Sequence, residues 1–313
     1  MGIRGGDRLG VVRAGIVTPA VVAARSRSAL DGPLARPAEL WVAVVSEPAL
    51  LVGAFQRAPA STPGRTTLLR GSGGPDVHVG AGTVHVALSL ERPDVLEPCD
   101  AKKIVNRAVR PLLRALTKTV KLAHYFGRDW VSVEHRPAGW VGFAHDSTTG
   151  RTLFEAFVAV TTPFAGREAR SLLGKTPATL DELAGRSIDP AALADEIVRA
   201  YEARAGVEAV LVEAGPTPAP EDAPAEPPWA AMVEEAIGTL GAGPDGRGTF
   251  RVGGDLLVSR DALARLEQRV AAAPDANVGR IVDETLSSPG VALEGVASLA
   301  SIRDVIVAAR RRT

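Results

Sequence analysis

Apolar and polar residues alternate from Thr83 to Leu90, with Val84, Val86, Leu88 and Leu90 on one side and His85, Ala87 and Ser89 on the other. A period of two predicts a strand with one buried face. Two shorter apolar runs, Leu40–Val45 and Leu50–Ala54, flank the break Ser46-Glu47-Pro48 and predict a pair of strands. Three strand-like runs follow further along: Trp130–His135, Trp140–Ala144 and Thr152–Thr161. The turn formers Pro137-Ala138-Gly139 and Ser147-Thr148-Thr149-Gly150 separate them, which predicts an antiparallel meander.

Helical spacing is found elsewhere. Between Asp100 and Ala123 the residues Ile104, Val105, Val109, Leu112, Leu113, Leu116 and Val120 make an apolar stripe, and Pro111 inside it predicts a kink or restart. Asp189-Pro190 opens another helix, because an aspartate can cap and a proline suits the first helical position. Its stripe is Leu193, Ile197, Val198 and Tyr201, and Val207–Val212 follows it. The apolar stretch Ala14–Ala24 lies behind Arg4, Arg8 and Arg13 and imitates a short signal peptide, yet Pro19 interrupts it and Arg25 and Arg27 follow at once. It is read as a first amphipathic helix.

Glu213–Pro228 is rich in proline, alanine and acid and has no period, which predicts an extended linker. Beyond it, Phe250–Val258 predicts a strand and Ser259 a helix cap. Three helical stripes come next: Leu263/Leu266/Val270, Val278/Ile281/Val282/Leu286 and Ile302/Val305/Ile306. The organisation expected is a main domain over residues 1–212, a linker over 213–228 and a small α+β unit over 229–313.

Composition narrows the function classes. The chain has 313 residues, with 36 basic and 36 acidic side chains and zero formal net charge. A neutral chain lacks the basic field that nucleic acid or an anionic membrane requires, so neither is expected as a partner. No run approaches the ~20 apolar residues of a membrane span. The single cysteine, Cys99, excludes a disulfide framework within one chain and fits a cytosolic, that is cytoplasmic, setting. It stands between Glu97-Pro98 and Asp100, acidic neighbours that raise a thiol pKa. The histidines have no recurring ligand spacing, so no metal site is expected.

The candidate chemistry lies in Arg70-Gly71-Ser72-Gly73-Gly74-Pro75, a glycine-rich turn with an arginine at its entrance, continuing through Val77 to Gly82. Glycines let backbone amides approach a ligand, and consecutive amides can cradle an anion. Arg70 can pair with phosphate or carboxylate. This segment resembles the signature of the lipoate–protein ligase and octanoyltransferase family, roughly Arg-x-Ser-Gly-Gly-Gly-x-Val-x-His-Asp-x-Gly-Asn. Arg70, Ser72, Gly73, Gly74, Val77 and Gly82 match. Pro75 replaces the third glycine, Val79-Gly80 the His-Asp pair and Thr83 the asparagine. Gly53-Ala54-Phe55-Gln56 resembles the family's Gly-x-x-Gln. Gly139-Trp140-Val141-Gly142-Phe143-Ala144 resembles Lys-Ile-x-Gly-x-Ala, with Gly142 and Ala144 matching and Gly139 at the lysine position. Gly127-Arg128-Asp129-Trp130 is similar to Gly-Arg-Asn-Asp, and Phe154-Glu155-Ala156 stands in place of His-His-Gly. The likeness runs from about residue 35 to 212, and Gly253-Gly254-Asp255-Leu256-Leu257 resembles the start of the accessory domain of many lipoate ligases.

The resemblance implies a mixed α/β (α+β) fold with an antiparallel-rich sheet and flanking helices. It implies a site that joins an activated acyl group to a lysine of a lipoyl-type carrier domain, with lipoate and ATP/Mg as the reagents of a ligase. Arg70, Ser72, Gly73, Gly74, Gly82, Gly142 and Ala144 are the implied ligand-binding residues. The missing lysine removes a charge that stabilises the reaction, a loss of about 100- to 1,000-fold in rate. Arg136 is the nearest substitute cation, although an arginine beside a hairpin turn is ordinarily exposed. Three readings stay open: a non-catalytic protein that binds a lipoyl-type ligand, a carrier domain or a partner protein; an active ligase or octanoyltransferase with relocated groups; and a structural or regulatory subunit.

Overall fold

A computed structural model describes residues 9–59, 66–127, 129–164, 174–213, 219–235 and 238–312. The main part begins with strand β1 (Leu9–Val17), helix α1 (Pro19–Ser28), β2 (Ala38–Val45), β3 (Ala49–Val52), β4 (Thr67–Leu69), β5 (Val77–Val79) and β6 (Val84–Leu90). A single 3₁₀ turn at Ala101–Lys103 leads into α2 (Ile104–Thr119). Then come β7 (Ala123–Tyr125), β8 (Trp130–Val133), β9 (Arg136–His145), β10 (Thr152–Val158), α3 (Leu180–Ala184), α4 (Pro190–Ala205) and β11 (Val210–Leu211). The C-terminal part holds β12 (Ala231–Glu235), β13 (Gly238–Pro244), β14 (Phe250–Gly254), β15 (Leu257–Ser259), α5 (Arg260–Ala271), α6 (Asp275–Leu286), β16 (Leu293–Glu294) and α7 (Leu299–Arg310).

The large sheet has the order β11-β1-β2-β6-β10-β9-β15-β16, with the β7–β8 hairpin also on β9. Pairs β2–β6, β6–β10, β10–β9 and β9–β8 are antiparallel, whereas β1–β2, β1–β11 and β9–β15 are parallel. Mixed and antiparallel-rich, this matches the expected class. One face is covered by α2 and α4 through Leu112, Leu116, Ile197 and Tyr201. The other is covered by α1 and the small sheet β4-β3-β5. Two cover layers explain why every residue of β6 and β10 is buried, which corrects the one-sided burial read from the alternation.

Other expectations change in detail. Ala14–Val17 finishes a strand, and the helix begins only at Pro19, in the first helical position. The runs at Leu40 and Leu50 are both strands but do not pair: β2 joins the large sheet and β3 the small one. Helix α2 runs through Pro111 without a break. The β8–β9 turn is Glu134-His135, both with positive φ, as a two-residue hairpin demands. Pro137 instead lies within β9 at a register shift, where its missing N–H is tolerated. The meander itself, the α4 stripe and the Asp189 cap are as read. Phe250–Val258 forms two strands, β14 and β15, broken at Asp255-Leu256. Ser259 does stand at the helix start, but its hydroxyl accepts from the Ala292 amide instead of capping α5.

The C-terminal part is joined closely to the rest. Strand β15 extends the large sheet through Val258↔Ala144 and Ser259↔His145. Residues 219–228 run beside β4, where the Leu69 amide donates to Glu221 and the Ala223 amide to Thr67.

Candidate functional site

One edge of β9 has three different neighbours. Residues Arg136–Trp140 pair with β8, and Ala144 and His145 pair with β15. Between them the glycine turn makes a bridge: the Gly73 amide donates to the carbonyl of Phe143 at 2.8 Å. The Gly74 amide donates to the carbonyl of Leu256 at 2.9 Å, and the Gly71 amide to Ser26 Oγ at 2.8 Å. Pro75 has no amide hydrogen. The Gly71, Gly73 and Gly74 amides of the turn therefore already hold protein acceptors.

Arg70 turns inward from the end of β4 and is 1 % exposed. Its Nη1 donates to Ser72 Oγ at 2.7 Å and its Nη2 to the carbonyl of Pro75 at 2.7 Å. Glu155 on β10 lies opposite, with Oε2 3.8 Å from Arg70 Nη1. Glu155 Oε2 accepts from Ser26 Oγ, and Oε1 lies 2.8 Å from Nε2 of His85 on β6. Both atoms of this carboxylate are thus engaged in a fully buried network, which is what a buried charge requires. Burial raises the Glu155 pKa, but His85, Arg70 and Ser72 outweigh it and leave the carboxyl below its ordinary value. Burial pulls the Arg70 guanidinium down, against the opposing charges of Glu155, Asp76, Asp255 and Asp129. Two buried atoms of the network, Arg70 Nε and His85 Nδ1, have no hydrogen-bond partner.

Gly142 pairs with Glu155 across the sheet, and a Cβ there would overlap Arg70 Nη1 and Ser72 Oγ. The structure thus brings Arg70, Ser72, Gly73, Gly74 and Gly142 into one cluster. Ala144 lies two residues further along β9, buried and paired with Leu153 and Val258. Gly82 is elsewhere. Because β3 pairs Leu51 with Val77 and Ala49 with Val79, the turn after Val79 lies past the opposite end of β3 from Gly74. There the Gly82 amide donates to the Val45 carbonyl, beside Thr161.

Neither substitute cation position faces Arg70. A Cβ on Gly139 would lie 3.7 Å from Val131 Cβ and 3.8 Å from Val158 Cγ2, both in the core covered by α2 and α4. Arg136 points away, donating to Glu182 at 2.6 Å and to the carbonyls of Thr176 and Pro177. Cys99 is half-buried, and burial and Asp100 raise its thiol pKa. His145 is buried between Thr152 Oγ1 and the Gly290 carbonyl, while Asp146 turns to Arg260, so the two do not act as a pair.

Sequence reasoning named Phe55, Gln56, Gly254 and Asp255 in two separate motifs without showing that these meet, and it missed Arg57. The Phe55 carbonyl accepts from the Gly254 amide, and Gln56 Nε2 donates to Asp255 Oδ1 at 2.6 Å. Arg57 donates to four carbonyls, those of Pro227, Pro228, Gly243 and Pro244, at 2.7–2.9 Å, and stacks on Trp229 at 3.8 Å. A signal for Glu155 was present: a lone acid among apolar residues of a strand flanked by buried strands needs a buried partner.

No protein-family model and no curated protein matches the sequence. Solved structures do match. One is the bipartite lipoate protein ligase of an archaeal lipoylation system, described with its E2 lipoyl domain, from Thermoplasma acidophilum. It is 13% identical, covers 66% of this chain and 87% of its own, and gives a TM-score of 0.52. Another, a lipoate protein ligase from T. acidophilum with bound lipoic acid, has the same identity and coverage and a TM-score of 0.51. The fold is that of the lipoate protein ligases. At this identity the lipoate ligase fold is what the likeness establishes, and what the site does is argued separately. Among the described residues no helix is long and apolar enough to cross a membrane.

Proposed function

We propose that this protein is a non-catalytic form of the lipoate ligase fold, engaging a lipoyl-type carrier domain or another partner protein without acylating it. The observation that carries this reading is the engagement of the Gly73 and Gly74 amides by Phe143 and Leu256. An acyl-adenylate bound at this turn would have to displace both carbonyls. Arg70 is turned to Glu155, Ser72 and Pro75, and the position of the family lysine faces the opposite core. A carrier domain is the proposed partner because the structurally similar archaeal ligase is described with one.

The test is to incubate the protein with ATP, magnesium, lipoate and an apo lipoyl domain, then to weigh the domain and titrate its binding calorimetrically. Binding with no gain in mass is expected. A lipoylated domain overturns the reading, and absence of binding shifts it to a structural subunit. One observation favours an active enzyme instead: Arg70 Nε and His85 Nδ1 are buried without hydrogen-bond partners. In that case lipoate and ATP/Mg are the reagents, and mass gain in the same assay detects them.

A further inference from the structure

The outer edge of β1 carries a knob and a hole. Strand β11 pairs only with Gly10 and Val11, so among the described residues the edge from Arg13 to Val17 has no neighbouring strand. A bulge there, between Arg13 and Gly15, breaks the register with β2. Ile16 projects with 76% of its surface exposed, and Leu211, on the paired β11, with 71%. Gly15 and Ile16 themselves form one wall of an open cavity of about 140 Å³, whose other walls are Val42 and Val44 of β2 and Ala191, Ala194 and Val198 of α4. The small side chains of α4 leave it empty. A cavity of ~150 Å³ holds a benzene molecule, so the four carbons of an isoleucine side chain fit. Arg13 and Asp195 stand at its rim as a half-exposed ion pair.

We propose that this edge is the interface of a two-fold dimer in which the β1 strands of two copies pair antiparallel and each Ile16 enters the other copy's cavity. Knob, hole and both charges lie on one patch, which is the self-complementarity that an isologous contact needs. Arg13 and Asp195, already paired within each copy, flank the contact. A bulge and a charge on an edge strand also serve to prevent pairing. That function, however, calls for neither an exposed isoleucine nor a cavity of its size beside it. The patch is small against the ~1,600 Å² of a standard interface, so a micromolar dimer is expected.

Sedimentation across the micromolar range should show a concentration-dependent dimer, and Ile16→Glu should raise its dissociation constant more than tenfold. Ile16 is exposed, so the variant should melt as the wild type does at low concentration. Hydrogen exchange of the Arg13–Val17 amides should slow as wild-type concentration rises. A monomer throughout the range, a dimer that Ile16→Glu leaves unchanged, or exchange independent of concentration overturns the proposal.

Discussion

The amide of Gly74 donates a 2.9 Å hydrogen bond to the carbonyl of Leu256, so the C-terminal part forms one wall around the glycine turn. The contact depends on the glycine itself. Gly74 has a φ of +97°, and a Cβ there would lie 2.7 Å from the Val141 carbonyl and 3.2 Å from Leu257 Cδ2. Gly74→Ala should therefore lower stability by about 3 kcal/mol, combining backbone strain with overpacking. Denaturant unfolding measures this, and a change within half a kcal/mol would show that the turn relaxes freely.

Glu155 is the foremost of the opposing charges around Arg70, and its removal leaves the buried guanidinium with only the weaker fields of Asp76, Asp255 and Asp129. Glu155→Gln should cost about 3 kcal/mol at neutral pH. The pH dependence has a definite sign. A carboxyl held below its ordinary pKa adds stability that is complete above the unfolded value, ~4.3, and is lost as pH falls through the folded value. The gap between wild type and variant should thus shrink below about pH 4. A gap that stayed constant from neutral pH down to acid unfolding would mean that the Glu155 carboxyl titrates alike in the folded and unfolded protein.

Much of the scaffold was legible because burial writes a period into strands and helices. The meander, α4 and the three C-terminal helices follow from apolar spacing alone. Strands β12 and β13 did not, since Ala231–Glu235 ends in two glutamates and Gly238–Pro244 is rich in glycine. Their register comes from Trp229 packed on Gly241 and from Arg57, contacts distant in sequence. Arg70, Ser72, Gly73, Gly74 and Gly142 were named by short motifs, and the fold brings them into one cluster. Gly82 lies apart from that cluster, because its place depends on how β5 pairs with β3. The occupants of the turn amides, Phe143 and Leu256, are backbone carbonyls and carry no side-chain signature.

Lysine at position 139 is the substitution that the motif comparison suggests as a repair. The geometry argues against it. The side chain would enter the core at Val131 and Val158, where an ammonium is desolvated without a partner. Gly139→Lys should destabilise the protein by several kcal/mol and give no gain in lipoate binding. Calorimetric titration with lipoate, alongside a thermal melt, decides between repair and damage.

Glu294 on β16 is half-buried next to Tyr125, and burial pushes its carboxyl up to about 7. A carboxyl raised in the folded state stabilises below its unfolded value, and this contribution is lost as pH rises through about 7. Glu294→Gln should match the wild type near about pH 4 and exceed it near about pH 8, by about 1 kcal/mol once solvent screening is allowed for. Equal stability of the two proteins at both pH values would place the carboxylate in water.

Arg57 is one of the residues that attach the C-terminal part. Its guanidinium is buried, its main acceptors are four carbonyls, and Glu226, 3.8 Å from Nε, and the more distant Asp245 bring opposite charge. Two of those carbonyls, of Pro227 and Pro228, end the acidic proline-rich segment, and two belong to β13 and its final residue Pro244. The division at residues 212 and 228 is a proposal from composition, and it places the first proteolytic cut between Glu213 and Pro228, leaving two resistant pieces. Arg57 should slow that cut in the native protein by holding the end of the segment down. Arg57→Ala should cost about 3 kcal/mol, through four lost charge-assisted hydrogen bonds and the Trp229 stack. Limited proteolysis should then cleave the segment roughly tenfold faster while both pieces persist, because a cost of 1.4 kcal/mol in local opening already gives that factor. If the variant were cut first inside Gly253–Val270, the C-terminal part would be losing its own fold, and Arg57 would be a core residue of that part instead of its attachment.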